Sequence, residues 1–379
     1  MHQVLREFRV RKPQLFAGLM LLAFLAQCLW SAKTRKITEL EYQYMLSGLS
    51  PASDSPGSSA SPLTVLIAAM PARMTAVVRK FGPASWSAAL AIPRLWLLRL
   101  PFVIFGVWLG AALWWVARRL FDDAGGYVAL GLYCTSPAII KISSNIGPEI
   151  ILAWSSLGLI YTAIGVSHTL YAPARKWVPR IGILGLSIGF ALATFWWSIT
   201  LVLLALGYML YLAPGCRRKV LLVLGSSSVI GCAVWAAVSW LTGHAGLGAK
   251  ELFAHRPTLD SLLTLGYALS PETDGYVLVF LFIAALTAYG SWPRARYFGN
   301  TSPLITGLIA VFLFALAPSI RIWDATLGLS FVFIFVGGLA ADFLETRARR
   351  PVILILAACF LLRTVLTVLA LAAWIQNSA

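Results

Sequence analysis

Apolar segments of membrane-spanning length recur along the whole of this chain, and basic residues flank them at every second connection. The sequence is 59% hydrophobic and 12% charged, with a mean hydropathy of +0.82. A helix needs about 20 mostly apolar residues to cross roughly 30 Å of hydrocarbon. The segments that meet this length are 14–31, 99–117, 124–142, 148–166, 181–196, 197–213, 220–241, 275–291, 302–317, 325–341 and 352–374. The sequence therefore predicts an all-α polytopic membrane protein with about 11 transmembrane helices.

One division in this series is weak. Residues 181–196 and 197–213 are separated only by Trp196 and Trp197, which indicate either a tight external turn or an interfacial aromatic belt.

Basic residues set the predicted orientation. Short cytoplasmic loops are enriched in Lys and Arg, so a cytoplasmic N-terminus and an external C-terminus fit the pattern. This orientation places the following residues inside: Arg6, Arg9, Arg11, Lys12, Arg118, Arg119, Arg175, Lys176, Arg180, Arg217, Arg218, Lys219, Arg294, Arg296, Arg347, Arg349 and Arg350. The net charge of +16 is spread over several loops rather than gathered on one soluble face, which argues against a nucleic-acid partner. We expect contact with membrane lipids in a bacterial-type inner membrane.

The whole chain, 1–379, is predicted to be a single transmembrane domain with two large external loops. The first loop, 32–98, contains Ser- and Pro-rich residues 50–62, and then 63–81 and 85–98, which resemble amphipathic helices at the membrane surface. The second loop is 242–274.

Acidic residues on the predicted external side are the first candidates for chemistry. Glu39 and Glu41 follow the first span, and Glu149 begins the fourth. A carboxylate can act as a general base on an acceptor hydroxyl or hold a divalent cation. The alternatives are a solvated loop for Glu39 and Glu41, and for Glu149 a charge at a helix N-terminus opened by Pro148.

Cationic side chains offer a second type of chemistry. Arg256 and Arg321, both predicted to be external, could bind a lipid phosphate through their guanidinium forks, or could simply contact headgroups. His244 and His255 have no zinc-motif spacing, so a metal cofactor is left open without a strong motif. Arg363 falls near the middle of the last span and should face protein or a wet cavity.

The acidic-aromatic run at 38–45 is followed along the chain by Arg99-Leu100-Pro101, Ala117-Arg118-Arg119-Leu120-Phe121, Ser136-Pro137 and Pro148-Glu149. Together these motifs resemble the GT-C superfamily of polyprenyl-phosphate-sugar-dependent glycosyltransferases, in particular the protein mannosyltransferase and aminoarabinose transferase branch. The resemblance is clearest over residues 1–165.

The resemblance implies a transferase that takes a sugar from a polyprenyl-phosphate donor on the outer face of the membrane. Glu41 and Tyr44 match the second acid and the aromatic residue of the family's first-loop motif, whose acid serves as base or substrate organiser. Glu149 matches the assisting acid after the third helix. Leu40 stands where the family has a leading aspartate, unless Glu39 replaces it by a one-residue shift, and Gly147 stands where an arginine is common.

Two main hypotheses follow. The first is a glycosyltransferase-like membrane protein in which Glu39, Glu41 and Glu149 carry the chemistry, while Tyr44, Arg256 and Arg321 bind substrate. The alternative is a catalytically inactive accessory subunit of a larger membrane complex, favoured by Leu40, Gly147 and the short chain. A transporter ranks last because no internal repeat is visible.

Overall fold

The computed structural model of the chain describes residues 12–49, 61–81, 95–195, 198–243, 275–315 and 328–376. The described residues form helices and connecting turns, with no strand among them. The α-helices are α1 (Lys12–Thr34), α2 (Glu39–Leu49), α3 (Pro62–Phe81), α4 (Leu95–Cys134), α5 (Pro137–Ser143), α6 (Glu149–Ser167), α7 (Ala174–Thr194), α8 (Ile199–Leu212), α9 (Arg217–Thr242), α10 (Gly275–Ser291), α11 (Phe298–Ala315), α12 (Leu329–Leu344) and α13 (Arg349–Gln376).

Six helices in the described part of the chain are long and apolar enough to cross a membrane, namely α1, α4, α6, α7, α9 and α13. The shorter apolar helices α8, α10 and α12 also coincide with predicted spans. The all-α membrane architecture is thus confirmed, whereas the number of spans remains a prediction. Because α7 ends at Thr194 and α8 begins at Ile199, the weak division falls between two separate helices. Trp196 and Trp197 themselves lie outside the described residues.

Helix α4 contains two predicted spans joined by a sharp bend. Phe121 (φ −137°, ψ 22°) and Asp122 (φ 60°, ψ −169°) have non-helical backbone angles. The segment before the bend, residues 95–120, is long enough that Arg99 and Leu120 lie about 30 Å apart along its axis. We name the two ends of the bundle after residues that lie there: the Arg99 end and the Arg294 end. Phe121 belongs to the latter, because its ring packs edge-on at 6.4 Å from the ring of Tyr297.

Helices α6 and α12 lie inside the bundle, and α13 lies on its surface. In the 18-residue apolar stretch of α6, 72% of the residues are buried, whereas 11% are buried in the corresponding stretch of α13. Close approach of α12 to α4 depends on small residues, since a Cβ added to Gly337 would lie 2.8 Å from the carbonyl oxygen of Gly125. The exposed apolar face of α13 is suited to contact with lipid.

The third predicted span, 124–142, is broken. Helix α4 ends at Cys134, and Ser136 caps the short helix α5, accepting a hydrogen bond from the N–H of Ile139. Pro137 occupies the first turn of α5, where its missing N–H costs nothing. A break inside a membrane leaves backbone carbonyls that need new donors, and α13 supplies them.

Arg363 and Thr367 of α13 provide these donors. Arg363 Nη2 donates to the carbonyl of Leu132 (2.9 Å), and Thr367 Oγ1 donates to that of Thr135 (2.7 Å). Arg363 is only 2% exposed and also lies over the ring of Phe333. The expectation that Arg363 faces protein is therefore confirmed, and its cation stabilises the C-terminal end of α4.

The helix predicted over 63–81 is present as α3. Its first half is buried, including Leu63, Val65 and Ala68, while Met70 and Met74 are exposed. It is therefore packed into the bundle at one end rather than lying wholly on a surface. Of the second predicted amphipathic stretch, 85–98, only the first residues of α4 are described.

Candidate functional site

A buried ion pair between Glu41 and Arg99 organises the Arg99 end. Arg99 Nε donates to Glu41 Oε1 (2.9 Å) and Nη2 donates to Oε2 (2.8 Å), which is the bidentate geometry that matches a guanidinium to a carboxylate. Both residues are 1% exposed. Glu41 is therefore not a solvated loop residue, because its charge is neutralised inside the protein.

Arg99 also holds the end of the first span. Its Nη1 donates to the carbonyls of Ala32 (2.8 Å) and Arg35 (2.9 Å), and its Nη2 donates to that of Lys36 (2.9 Å). The last carbonyls of a helix have no partner within the helix and carry partial negative charge. One guanidinium thus fixes the end of α1 and the carboxylate of α2 at the same time.

Glu41 is placed by a local sequence signal at the start of α2. The backbone N–H of Thr38 donates to Glu41 Oε2 (2.9 Å), and the N–H of Glu41 donates to Thr38 Oγ1 (3.3 Å). This reciprocal arrangement is the capping box of a Thr-x-x-Glu sequence. It orients the carboxylate before any tertiary contact forms.

A fourth segment joins the cluster from the loop before α6. The backbone N–H of Ile146 donates to Glu41 Oε1 (3.0 Å), and Ser144 Oγ lies 3.0 Å from Ser31 Oγ on α1. Glu149 begins α6 only three residues after Ile146. The structure therefore brings Glu41 and the segment that leads to Glu149 to the same end of the bundle.

The surroundings of Glu41 favour its ionised form. Burial alone would raise the pKa of Glu41, but the hydrogen bonds and positive charge of Arg99, together with the N–H groups of Thr38 and Ile146, lower it below its ordinary value. The carboxylate accepts hydrogen bonds from Arg99, Thr38 and Ile146 on both oxygens. Little acceptor capacity is left for abstracting a substrate proton, so the geometry suits an organising role.

Glu149 occupies a different environment. It is the first residue of α6, with Pro148 as the N-cap, and is 9% exposed. Its Oε2 lies so close to Gly147 that a Cβ at that position would collide with it. The absence of a side chain at Gly147, where the resembled family commonly has an arginine, is what makes room for this carboxylate.

The other predicted site residues that the structure describes are Glu39 and Tyr44, both on α2 with Glu41. Glu39 is exposed and accepts a hydrogen bond from Gln43 Nε2 (3.4 Å), whereas Tyr44 is 8% exposed and belongs to the core. Arg256 and Arg321 lie outside the described residues, as do His244 and His255. Among the residues that are described, no three or more His, Cys, Asp or Glu side chains converge as metal ligands would.

Two cations beside this cluster were not singled out from the sequence. The guanidinium carbon of Arg35 lies 5.7 Å from the ring centroid of Trp374, and Lys141 Nζ lies 5.1 Å from it. Arg35 Nη1 is buried with no hydrogen-bond partner. Burial, followed by the charge of Arg99, lowers the pKa of Arg35 to about 10, so the side chain is still protonated at neutral pH. A buried unpaired N–H of a cation is suited to an anionic ligand.

Some of these residues had a detectable signal and others had none. The spacing Thr38-x-x-Glu41 is a capping box that the sequence displays. Arg99 lies at the start of a span, where a buried acid could have been sought as its partner. The meeting of Arg35 and Lys141 at Trp374 joins three distant parts of the chain, and no local pattern indicates it.

Comparison with solved structures places this arrangement in a known fold. Over 91% of its length the chain matches ArnT from Cupriavidus metallidurans in the apo state, with a TM-score of 0.60 and 15% identity. The oligosaccharyltransferase of Archaeoglobus fulgidus in its apo form matches over 93% of the chain, with a TM-score of 0.54 and 13% identity. The same enzyme tethered to an acceptor peptide matches over 94%, with a TM-score of 0.52 and 14% identity.

The chain spans 63% of the ArnT structure and 56% of the apo oligosaccharyltransferase. No protein-family model and no curated protein sequence matches it. Both solved neighbours are members of the GT-C superfamily, as the sequence motifs suggested. The polytopic helical bundle built around the Glu41–Arg99 cluster therefore has the GT-C fold.

Proposed function

We propose that the protein is a membrane glycosyltransferase that uses a polyprenyl-phosphate-linked sugar at its Arg99 end. The observation that carries the proposal is the Glu41–Arg99 ion pair, which ties α1, α2 and the loop before Glu149 into one buried cluster within a GT-C fold. The Arg99 end is the one that the charge pattern predicts to be external. The proposed cellular location is a bacterial-type inner membrane.

The proposal divides the work between the two acids. Glu41 is a positioning residue, because its oxygens are engaged by Arg99, Thr38 and Ile146. Glu149 is the catalytic residue, acting as general base on the acceptor or as a direct substrate contact. Glu39 is exposed at the start of α2 and contributes negative charge at the mouth of the site.

The carrier phosphate is proposed to bind near Arg35. Its buried Nη1 lacks a hydrogen-bond partner, and Lys141 brings a second positive charge to the same aromatic ring. A phosphate offers acceptor oxygens that match an arginine N–H. Arg256 and Arg321 are retained as further proposed phosphate contacts from the sequence.

Native mass spectrometry of the full chain, extracted mildly from its own membranes, tests the proposal. We expect a bound polyprenyl phosphate or its sugar-linked form, with retention reduced in Arg35→Gln. The matched control is Lys33→Gln, which removes an exposed charge two residues away. A stoichiometric protein partner with no such lipid would overturn the proposal and favour an accessory subunit.

A further inference from the structure

A polar cavity lies at the opposite end of the bundle from the Glu41–Arg99 cluster. Its volume is about 530 Å³, within the range of about 300–1,000 Å³ typical of small-molecule sites. It is formed where the connection between α10 and α11 meets the connection between α12 and α13. The lining residues are Trp292, Arg294, Tyr297, Asp342, Glu345, Thr346 and Arg347.

The cavity contains charges of both signs that do not pair with each other. Asp342 and Glu345 supply two carboxylates, and Arg294 and Arg347 supply two guanidiniums. Neither of the two ion pairs formed between described residues, Arg99–Glu41 and Arg118–Asp123, involves a residue of the cavity. Acids and bases that share a cavity without contact leave room for a ligand that carries both charges.

The Asp342 carboxylate is held in place by neutral donors. Tyr297 hydroxyl donates to Oδ1 (3.2 Å), and Asn300 Nδ2 donates to Oδ2 (2.8 Å) while also donating to the carbonyl of Ala295 (3.0 Å). Burial and the neighbouring charge of Asp342 raise the pKa of Tyr297, so its hydroxyl keeps the proton that it donates. A carboxylate has about four acceptor sites, so Asp342 can still receive N–H groups from a ligand.

The position of the cavity indicates where such a ligand would come from. Helices α10 and α12 end at Ser291 and Leu344, and α11 begins at Phe298, so the cavity lies at the level where apolar helices leave the membrane. Trp292 packs on Phe343 at 5.0 Å between ring centroids, and Tyr297 is also at this level. Trp and Tyr favour the headgroup region, where one edge is apolar and the other wet.

We propose that this cavity binds the phosphoethanolamine headgroup of a membrane phospholipid. The ammonium group would donate to the carboxylates of Asp342 and Glu345, and the phosphate would accept from Arg294 and Arg347. Phosphatidylethanolamine presents an ammonium and a phosphate joined by a short linker, which fits a cavity that holds both signs of charge. The proposal does not depend on the transferase function, because the two sites lie at opposite ends of the bundle.

Lipid binding to the delipidated full chain tests the proposal. Native mass spectrometry would compare retention of phosphatidylethanolamine, phosphatidylcholine and phosphatidylglycerol added in equal amounts. We expect phosphatidylethanolamine to be retained most, because only its ammonium can donate hydrogen bonds to the two acids. Glu345→Gln and Arg347→Gln should each lower its retention roughly fivefold, about the effect of one lost charge-assisted hydrogen bond at an exposed site.

Arg350→Gln is the control, since Arg350 is an exposed arginine near the same helix start that does not line the cavity. Its lipid retention should equal that of the unaltered chain. Equal retention of all three lipids, or no difference between Arg347→Gln and Arg350→Gln, would overturn the proposal. Soluble phosphoethanolamine added alone distinguishes the two sources of this chemistry: if it binds in a Glu345-dependent way and the lipid does not, the lipid assignment is wrong.

Discussion

Two fully buried arginines show how this chain tolerates charge inside an apolar bundle. Arg99 binds the carbonyls at the end of α1, and Arg363 binds a carbonyl at the end of α4. A carbonyl without a hydrogen-bond donor is costly in a bilayer, and so is a cation without an acceptor. The hydrogen bonds between arginine and carbonyl reduce both costs at once. Arg99 also binds the carboxylate of Glu41, and this ion pair makes its cluster the organising centre of the Arg99 end.

Removing the charge of Glu41 should destabilise the protein strongly. Glu41→Gln leaves the Arg99 cation buried without its counter-ion, and breaking a buried pair costs about 3–5 kcal/mol. We expect a clear drop in Tm in detergent. Glu39→Gln, which alters an exposed acid two residues away, is the control and should leave Tm nearly unchanged. Equal Tm values for the two variants would contradict the assigned role of the ion pair.

The same pair should make stability depend on pH in a known direction. The pKa of Glu41 is lowered in the folded protein, so its contribution is fully present above the unfolded-state pKa of about 4.3 and is lost as pH falls through the folded value. The Tm difference between the unaltered chain and Glu41→Gln should therefore be constant from about pH 7 to 5 and shrink below about pH 4. A difference that grows with acidification would have the wrong sign.

At the scale of helices, hydropathy predicted the apolar segments well because burial in lipid depends mainly on composition. It did not predict the break after Cys134, since Thr135 and Ser136 hardly lower the mean hydropathy of 124–142. The side chains that bind Thr135 at this break, Arg363 and Thr367, lie more than 220 residues later, on α13. Arg363 was recognised as unusual from its position in the last span, but its target could not be deduced from one sequence.

The break in the third span can be tested with two threonines of α13. The Thr367 hydroxyl lies 2.7 Å from the Thr135 carbonyl on the broken segment and 2.8 Å from the Arg363 carbonyl on its own helix, whereas the Thr364 hydroxyl donates only to Phe360 on its own helix. We expect Thr367→Val to destabilise the protein by about 1 kcal/mol, the typical net value of one buried hydrogen bond. Thr364→Val should have a smaller effect. Chemical unfolding of both variants in the same detergent measures the difference in the free energy of unfolding. An equal loss of stability in the two variants would argue against a stabilising hydrogen bond from α13 to the break.

The loop that leads into α6 offers a test of Glu149. In Gly147→Ala the new methyl group occupies the space of the Glu149 carboxylate, which must move. Since the obstacle is the end of a flexible side chain, we expect little change in Tm and a loss of transferase activity. Gly165→Ala, within α6, is the control, because a Cβ there meets nothing within 4 Å. Full activity of Gly147→Ala would show that the position of Glu149 is unimportant.

At the scale of the whole molecule, the sequence motifs over 1–165 were sufficient to predict the GT-C fold, and the solved neighbours confirm it. The site was only partly predictable. Glu41 and Glu149 are singled out as candidates by their positions beside helix starts, but the engagement of Glu41 by Arg99, on which its proposed positioning role rests, is not predictable in this way. Glu41 is held by Arg99 and Ile146, which lie 58 and 105 positions away from it along the chain, and no rule of sequence spacing predicts such contacts.

The two ends of the bundle are chemically distinct. The Arg99 end contains the buried pair, Glu149 and the cations at Trp374, and the Arg294 end contains the cavity with unpaired charges of both signs. The end-to-end separation of about 30 Å along α4 is a full membrane thickness. Variants at one end should therefore leave the measurements made at the other unchanged.

The decisive measurement is the turnover of lipid-linked sugar in membranes of the source cells, with the native copy deleted and the chain or a variant supplied. Deletion of the native copy should cause the sugar-linked polyprenyl phosphate that the protein consumes to accumulate. Mass spectrometry would follow the ratio of this sugar-linked lipid to free polyprenyl phosphate. Glu149→Gln should slow its consumption by about 100-fold or more, the usual effect of losing a general base. Asp123→Asn, at the Arg294 end, should behave as the unaltered chain. Consumption by Glu149→Gln at the unaltered rate would contradict a transferase site at the Arg99 end.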